Sequence, residues 1–203
     1  MWRATTVMAA VACAIGCGSS APPAEEPEED LTAMPPPPVP VEVRELCKKV
    51  RCRPNTPVRL VVPGGEVVEG LMMMSPYVID DVVSVVPGET LYIEGDVEGD
   101  RFVGLRIVPR VADPARTVIV RFDQRPGGPG HMMLLTIEQE TGRILRYKAG
   151  ISPLGAEDVY ATSTCPVRSG IAVFEMWPDP LVHLLLAEFR FLDEGDPDAS
   201  GCY

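Results

Sequence analysis

The feature that most constrains the fold is a succession of short β-type runs separated by turn residues. From Thr56 onward, runs rich in Val, Ile, Leu and aromatic residues are interrupted by Pro, Gly and Asp. Branched and aromatic residues favour strands, whereas Pro and Gly favour turns. No segment shows the long apolar periodicity of an amphipathic helix. The pattern predicts an all-β fold of about nine short strands, an antiparallel β-sandwich of immunoglobulin-like or jelly-roll form.

Alternation within three of these runs predicts which side chains share a face, because successive side chains on a strand point to opposite sides. The expected groupings are Phe102 with Gly104, opposite Val103, Leu105 and Ile107; Val118 with Val120 and Phe122; and Leu185 with Ala187, Phe189 and Phe191.

Four Pro/Gly-rich segments predict the turns. Residues 63–65 (PGG) and 140–142 (ETG) each separate two β-type runs and predict hairpins. Residues 87–89 (PGE) predict a further turn, and the glycine-rich segment 125–130 (RPGGPG) predicts a long hairpin loop. The last segment has neither the Lys nor the following helix that a phosphate-binding loop needs.

The N-terminal residues have the features of an export signal. Arg3 precedes an apolar run over residues 7–15, which is too short to cross a bilayer. The sequence Ala14-Ile15-Gly16-Cys17 resembles the lipobox of bacterial lipoproteins. That resemblance implies a signal peptide over residues 1–16 and lipidation of Cys17. Cleavage before Cys13 would leave too short an apolar run.

The resemblance to lipoproteins also implies a location. Gly18 follows the lipidated cysteine, which implies the outer membrane, and neither the periplasmic nor the external side is favoured. Residues 17–40 are rich in proline and acids, so we expect the lipidated N-terminus to continue into a disordered linker. Residues 41–203 are then expected to form the β-sandwich domain.

Four cysteines remain once Cys13 is assigned to the signal peptide and Cys17 to lipid. In an exported chain an even number predicts disulfides, and the favoured pairs among three pairings are Cys47–Cys52 and Cys165–Cys202. A continuous helix would hold the first pair too far apart, so any helix there must end before Cys52. A four-cysteine zinc site is disfavoured because its usual close ligand pairs are absent.

The charge balance argues against a nucleic-acid partner. The chain carries 18 Lys and Arg against 29 Asp and Glu, a net charge of −11. A local basic group, which we expect to be a solvated face, does not provide the long basic surface that binds phosphates. Its members are Arg44, Lys48, Lys49, Arg51 and Arg53.

The acidic run 94–100 places Glu94, Asp96, Glu98 and Asp100 at a spacing of two. On one strand they would share a face, which is one arrangement for calcium. A solvated strand edge is the favoured interpretation. We therefore assign no metal ligand, and no motif indicates a cofactor.

Two alternatives to a simple binding module stay open. His131 and His183, the two histidines of the chain, are the candidates for a histidine-dependent envelope hydrolase. Residues 72–74 (MMM) and 131–133 (HMM) carry soft ligands that suit copper, provided their strands are neighbours. No catalytic residue is assigned, and the favoured hypothesis is a lipid-anchored, non-catalytic binding or assembly module. Its partners would be the membrane, through the lipid, and an envelope protein or polymer.

Overall fold

The computed structural model describes residues 40–127 and 130–202. The expected signal peptide, the lipid attachment at Cys17 and residues 18–39 of the linker lie outside the described residues.

The described chain consists of one short helix, many strands and two single 3-10 turns, over Pro114–Arg116 and Pro197–Ala199. The helix and the strands, numbered along the chain, are α1 (Val41–Leu46), β1 (Cys52–Arg53), β2 (Thr56–Val61), β3 (Val67–Met72), β4 (Ser75–Pro76), β5 (Val78–Ile79), β6 (Val82–Val85), β7 (Glu89–Glu98), β8 (Arg101–Val108), β9 (Thr117–Gly127), β10 (Gly130–Gln139), β11 (Ile144–Pro153), β12 (Tyr160–Thr162), β13 (Val173–Trp177) and β14 (Leu181–Leu192).

Ten of the strands form one antiparallel sheet with the order β12-β11-β14-β8-β7-β9-β10-β13. Strand β6 pairs with β14 and with β5. The β14–β8 junction is narrow, with a single register pair, Arg190 opposite Arg101. Inward side chains from both sides of this junction form one buried core. The sheet thus folds into two layers, which confirms the predicted all-β antiparallel sandwich.

The core is built from the alternating runs. Val118, Val120 and Phe122 on β9 are fully buried, as their shared face predicts. Phe102 on β8 meets Phe191 on β14 edge to face, with ring centroids 5.5 Å apart, beside the β14–β8 junction. Such aromatic pairs add packing energy beyond the area that they bury.

Two β-bulges reverse the predicted faces. On β8, Phe102 and Leu105 are both buried, because Gly104 adopts a positive φ of 62° and inserts an extra residue opposite β7. On β14, Leu184 and Leu186 face the core together with Phe189 and Phe191.

The predicted grouping of Leu185 and Ala187 with those two phenylalanines is therefore wrong. Glu188 has a φ of 51°, and the register with β11 shifts at this position, so the alternation changes phase.

The turns are where predicted, but they do not all make hairpins. Residues 63–65 join the paired strands β2 and β3, and β9 pairs with β10 up to Gly127 opposite Gly130. Residues 87–89 instead take the chain from β6, next to β14, to β7, next to β9. The hairpin predicted at 140–142 is wrong, because β10 pairs with β9 and β13 whereas β11 pairs with β14 and β12.

The side chain of Gln124 bonds the β2–β3 hairpin to the main sheet. Gln124 on β9 accepts a hydrogen bond from the Val61 backbone N–H at 2.7 Å and donates one to the Val61 carbonyl at 2.8 Å. The amide thus replaces a strand neighbour. Val58 and Leu60 bury their side chains in the core, so apolar contact reinforces this attachment.

Candidate functional site

Strand β13 exposes large apolar side chains on the outer surface of the sandwich. Phe174 and Met176 are 58% and 59% exposed, whereas Glu175 between them is buried. The register places Met176 opposite Leu134 of β10, and directly opposite residues share a face. We call Leu134, Phe174 and Met176 the apolar patch. Phe174 and Met176 share the exposed face of β13 and Leu134 lies opposite Met176, and exposed apolar area of this kind is typical of contact sites.

Charged pairs on β9 and β10 lie beside the apolar patch. Leu134 lies opposite Asp123, which accepts a hydrogen bond from Arg125 at 3.0 Å. Beyond it, Arg121 donates a hydrogen bond to Glu138 at 2.6 Å. An apolar centre with a rim of paired charges is the usual anatomy of a protein contact surface.

A cleft of about 360 Å³ lies at the N-terminal end of β13. Its apolar walls include Ile119 and Ala172, and two carboxylate side chains, Glu138 and Glu140, line it as well. Ala172 directly precedes β13, so the cleft adjoins the apolar patch. The two features together give this surface both apolar area and a concave end.

Buried Glu175 holds β13 to the core through two hydrogen bonds. Its Oε1 accepts hydrogen bonds from the Tyr147 hydroxyl at 2.7 Å and from the Cys165 backbone N–H at 2.8 Å. Burial raises the pKa of Glu175 above its ordinary value, and the hydrogen bonds from Tyr147 and Cys165 counteract this rise. Burial also raises the pKa of Tyr147, and Glu175 adds to that rise. These contacts orient Phe174 and Met176 outward, because neighbours on a strand alternate.

Apart from the apolar patch, a polar site surrounds Arg53, whose side chain is fully buried. Its Nε and Nη2 donate to the two carboxylate oxygens of Glu89 at 2.9 and 2.8 Å. Its Nη1 donates to the hydroxyls of Ser75 and Ser84, and Nη2 also donates to the Ser84 carbonyl. The guanidinium lies 4.6 Å from the Tyr77 ring centre. All five donors of the guanidinium are therefore used.

His183 joins this site through Ser84. The Ser84 Oγ and the His183 Nε2 are 2.6 Å apart. Burial lowers the pKa of His183, Arg53 lowers it further, and Glu89 partly opposes them. A neutral imidazole beside a serine hydroxyl is the geometry of a nucleophile and its base.

The other histidine and the methionines are arranged differently. His131 is exposed at the start of β10 opposite Pro126. The two methionine segments do not lie on paired strands, because β3 pairs with β2 whereas β10 pairs with β9 and β13. Met133 is fully buried in the core. The two segments are therefore not brought together by strand pairing.

The acidic run 94–100 forms ion pairs. Arg106 contacts both Glu94 and Asp96, and Arg116 contacts Asp96 as well. Asp100 lies beyond the end of β7, in the turn to β8. Within residues 40–127 and 130–202, no cluster of three or more His, Cys, Asp or Glu side chains is arranged to hold a metal ion.

Both predicted disulfides are present. Cys47 pairs with Cys52, with Cα atoms 5.5 Å apart, and α1 ends just before this loop, at Leu46. Cys165 pairs with Cys202, with Cα atoms 4.2 Å apart. The second bridge joins the C-terminal segment to the chain beside Glu175.

Two features of the site were not predicted from the sequence. Arg53 belongs to the basic group expected to be solvated, and the structure instead buries it against Glu89. The expectation is wrong for this residue because its partners are remote in sequence. The exposure of Phe174 and Met176 was also missed, although the alternation in residues 173–177 (VFEMW) places them on one face.

No protein-family model, curated protein or solved structure matches this chain. Among the described residues, no helix has the length and apolar character needed to cross a membrane. The two disulfides are typical of proteins outside the cytosol.

Proposed function

We propose that this protein is a lipid-anchored module of the cell envelope that binds another envelope protein without catalysis. The observation that carries this proposal is the exposure of Phe174 and Met176 beside Leu134. Burying these side chains against a partner would remove apolar area from water, which is the main driving force of protein association.

The compartment is supported by two independent features. The disulfides indicate an oxidising environment. The resemblance of residues 14–17 to a lipobox supports attachment at Cys17, and Gly18 supports the outer membrane. Several acyl chains hold a protein stably at a bilayer, whereas one chain binds only marginally.

The composition of the apolar patch favours a protein partner over a polysaccharide. Sugar-binding surfaces usually combine aromatic platforms with many hydrogen-bonding side chains. Here the apolar patch has one aromatic ring, Phe174, together with the aliphatic Leu134 and the thioether of Met176. Methionine adapts its shape to apolar protein surfaces and occurs often at such contacts.

The binding proposal is tested by site-specific photo-crosslinking in intact cells. A photoreactive residue at Phe174 should give one discrete adduct, and the same residue at Leu71, which is 45% exposed on β3, should not. The F174S/M176S double variant, crosslinked from position 134, should lose the adduct. Equal crosslinking from positions 71 and 174 would contradict the proposal.

The anchor is tested separately with Cys17→Ala. We expect this variant to leave the membrane fraction and to lack the mass of the acyl chains. A variant of unchanged mass that still fractionates with membranes would refute lipidation at Cys17.

A histidine-dependent hydrolase is the second candidate, favoured by the 2.6 Å contact between Ser84 and His183. An activated serine reacts with fluorophosphonate probes. Labelling of Ser84 that is lost in His183→Ala would support hydrolysis. The binding proposal expects no labelling, because the Ser84 oxygen already accepts a hydrogen bond from Arg53.

A further inference from the structure

The segment that precedes the sandwich is held by the same polar site that contains His183. We call residues 47–53 the clasp. A disulfide closes it from Cys47 to Cys52, and Arg53 at its end enters the Ser84–Glu89 site. Its backbone also binds the body, because the Tyr77 N–H donates to the Arg51 carbonyl at 3.1 Å.

Ser84 links His183 to Arg53 through two hydrogen bonds at its Oγ. The Arg53 guanidinium can only donate, so the Ser84 Oγ is an acceptor in that bond. Donation of the Ser84 hydroxyl hydrogen to His183 Nε2 gives this hydrogen a partner, and we assign the bond in that direction. In this arrangement the imidazole is neutral, with its proton on Nδ1.

We propose that protonation of His183 releases the clasp from the sandwich. The docking of the clasp is therefore sensitive to acid. An imidazolium has no acceptor nitrogen, so Nε2 would have to donate to Ser84 and displace the Ser84 hydrogen. The Ser84 Oγ would then accept hydrogen bonds from two cations, His183 and Arg53, and the repulsion between them would weaken the hold on Arg53.

The charges around His183 oppose its protonation. The charged groups that face it are Arg53 from β1 and Glu89 from β7. On β11 the residue opposite His183 is the uncharged Ser152. If His183 were protonated, His183 and Arg53 would share the Glu89 carboxylate. Glu89 already binds Arg53 through both oxygens.

The direction of the pH effect follows from the lowered pKa. Release of the clasp removes Arg53 from the neighbourhood of His183, so the pKa of His183 rises from its lowered value in the docked site towards its ordinary value of 6.5. The released state then binds more protons, so docking is complete above about pH 6.5 and weakens as the pH falls below that value. One linked proton changes the release equilibrium at most about tenfold per pH unit.

Hydrogen exchange at the Tyr77 amide tests the proposal on the full chain. After correction for intrinsic exchange, its protection should fall by up to about tenfold per pH unit below about pH 6.5, while the amides of the buried β9–β10 hairpin keep theirs. In His183→Gln, which cannot titrate, the protection should be independent of pH. His131→Gln, at the other histidine of the chain, should behave as the wild type.

Two outcomes would overturn the proposal. One is an unchanged pH dependence at the Tyr77 amide in His183→Gln. The other is a nitrogen NMR spectrum of the wild type in which His183 carries its proton on Nε2 at neutral pH or titrates at or above the ordinary value. The spectrum does not need the variant, so it decides the question even if His183→Gln fails to fold.

Discussion

Arg53 and Glu89 form an ion pair with two hydrogen bonds, of 2.9 and 2.8 Å, across 36 residues of sequence. The Arg53 side chain is fully buried, and that of Glu89 is 12% exposed. Glu89 also accepts the Val86 N–H at 2.9 Å, at the turn where the chain passes from one layer to the other. The pair thus joins the clasp to the corner of the sandwich.

Neutralising Glu89 should destabilise the fold strongly. Glu89→Gln leaves the buried Arg53 charge without a counter-ion, which typically costs about 3–5 kcal/mol. Denaturant unfolding measures the loss. The matched control is Glu69→Gln, because the Arg59–Glu69 pair is 70% and 68% exposed, and its loss should cost less than about 1 kcal/mol. Equal losses in the two variants would show that the Arg53–Glu89 pair contributes no more than a surface pair.

The two disulfides should differ in their effect on stability. The Cys165–Cys202 bridge spans 37 residues of sequence and the Cys47–Cys52 bridge spans five. In the loop-entropy model their removal costs about 4 and about 2 kcal/mol respectively. Unfolding of the C165S/C202S and C47S/C52S double variants tests this order, and a larger loss from the short bridge would contradict it.

Glu175 should give the protein a stability that declines as the pH rises. Its native pKa is raised by burial, so between the unfolded value of about 4.3 and the native value the folded state binds more protons. The contribution is complete below about pH 4.3 and is lost as the pH rises through the native pKa. In Glu175→Gln this part of the slope should disappear. Unfolding curves of both proteins from pH 4 to pH 8 measure it, and parallel profiles would refute the assignment.

The sequence predicted local features well and remote ones poorly. The alternation of Val118, Val120 and Phe122 required only that β9 be regular, and it is. The faces of β14 depended on a bulge at Glu188, and a positive φ at a glutamate has no sequence signature. The strand with which β11 pairs after residues 140–142 is not specified by a turn motif.

The polar site around Arg53 could not be predicted for the same reason, because it depends on residues that are remote in sequence. Arg53 belongs to a charged run that resembles a solvated surface, and its partners lie 22 to 36 residues further along the chain. Burial of such a residue follows from tertiary packing alone. The disulfide pairing was easier to predict, because four cysteines allow few pairings and Cys47 and Cys52 lie close together in the sequence.

The apolar patch should contribute to binding and hardly at all to folding. Phe174 is 58% exposed, so Phe174→Ala removes little buried area, and its unfolding free energy should stay within about 0.5 kcal/mol of the wild type. Phe122→Ala is the matched control, because Phe122 lies fully buried on β9, in the same layer as β13, and its loss should cost about 3–5 kcal/mol.

Denaturant unfolding of both phenylalanine variants, combined with crosslinking from position 134, separates the two roles. We expect Phe174→Ala to keep its stability and lose most of its adduct. If Phe174→Ala lost as much stability as Phe122→Ala, its side chain would be part of the fold, and the exposed face of β13 would no longer support a binding role.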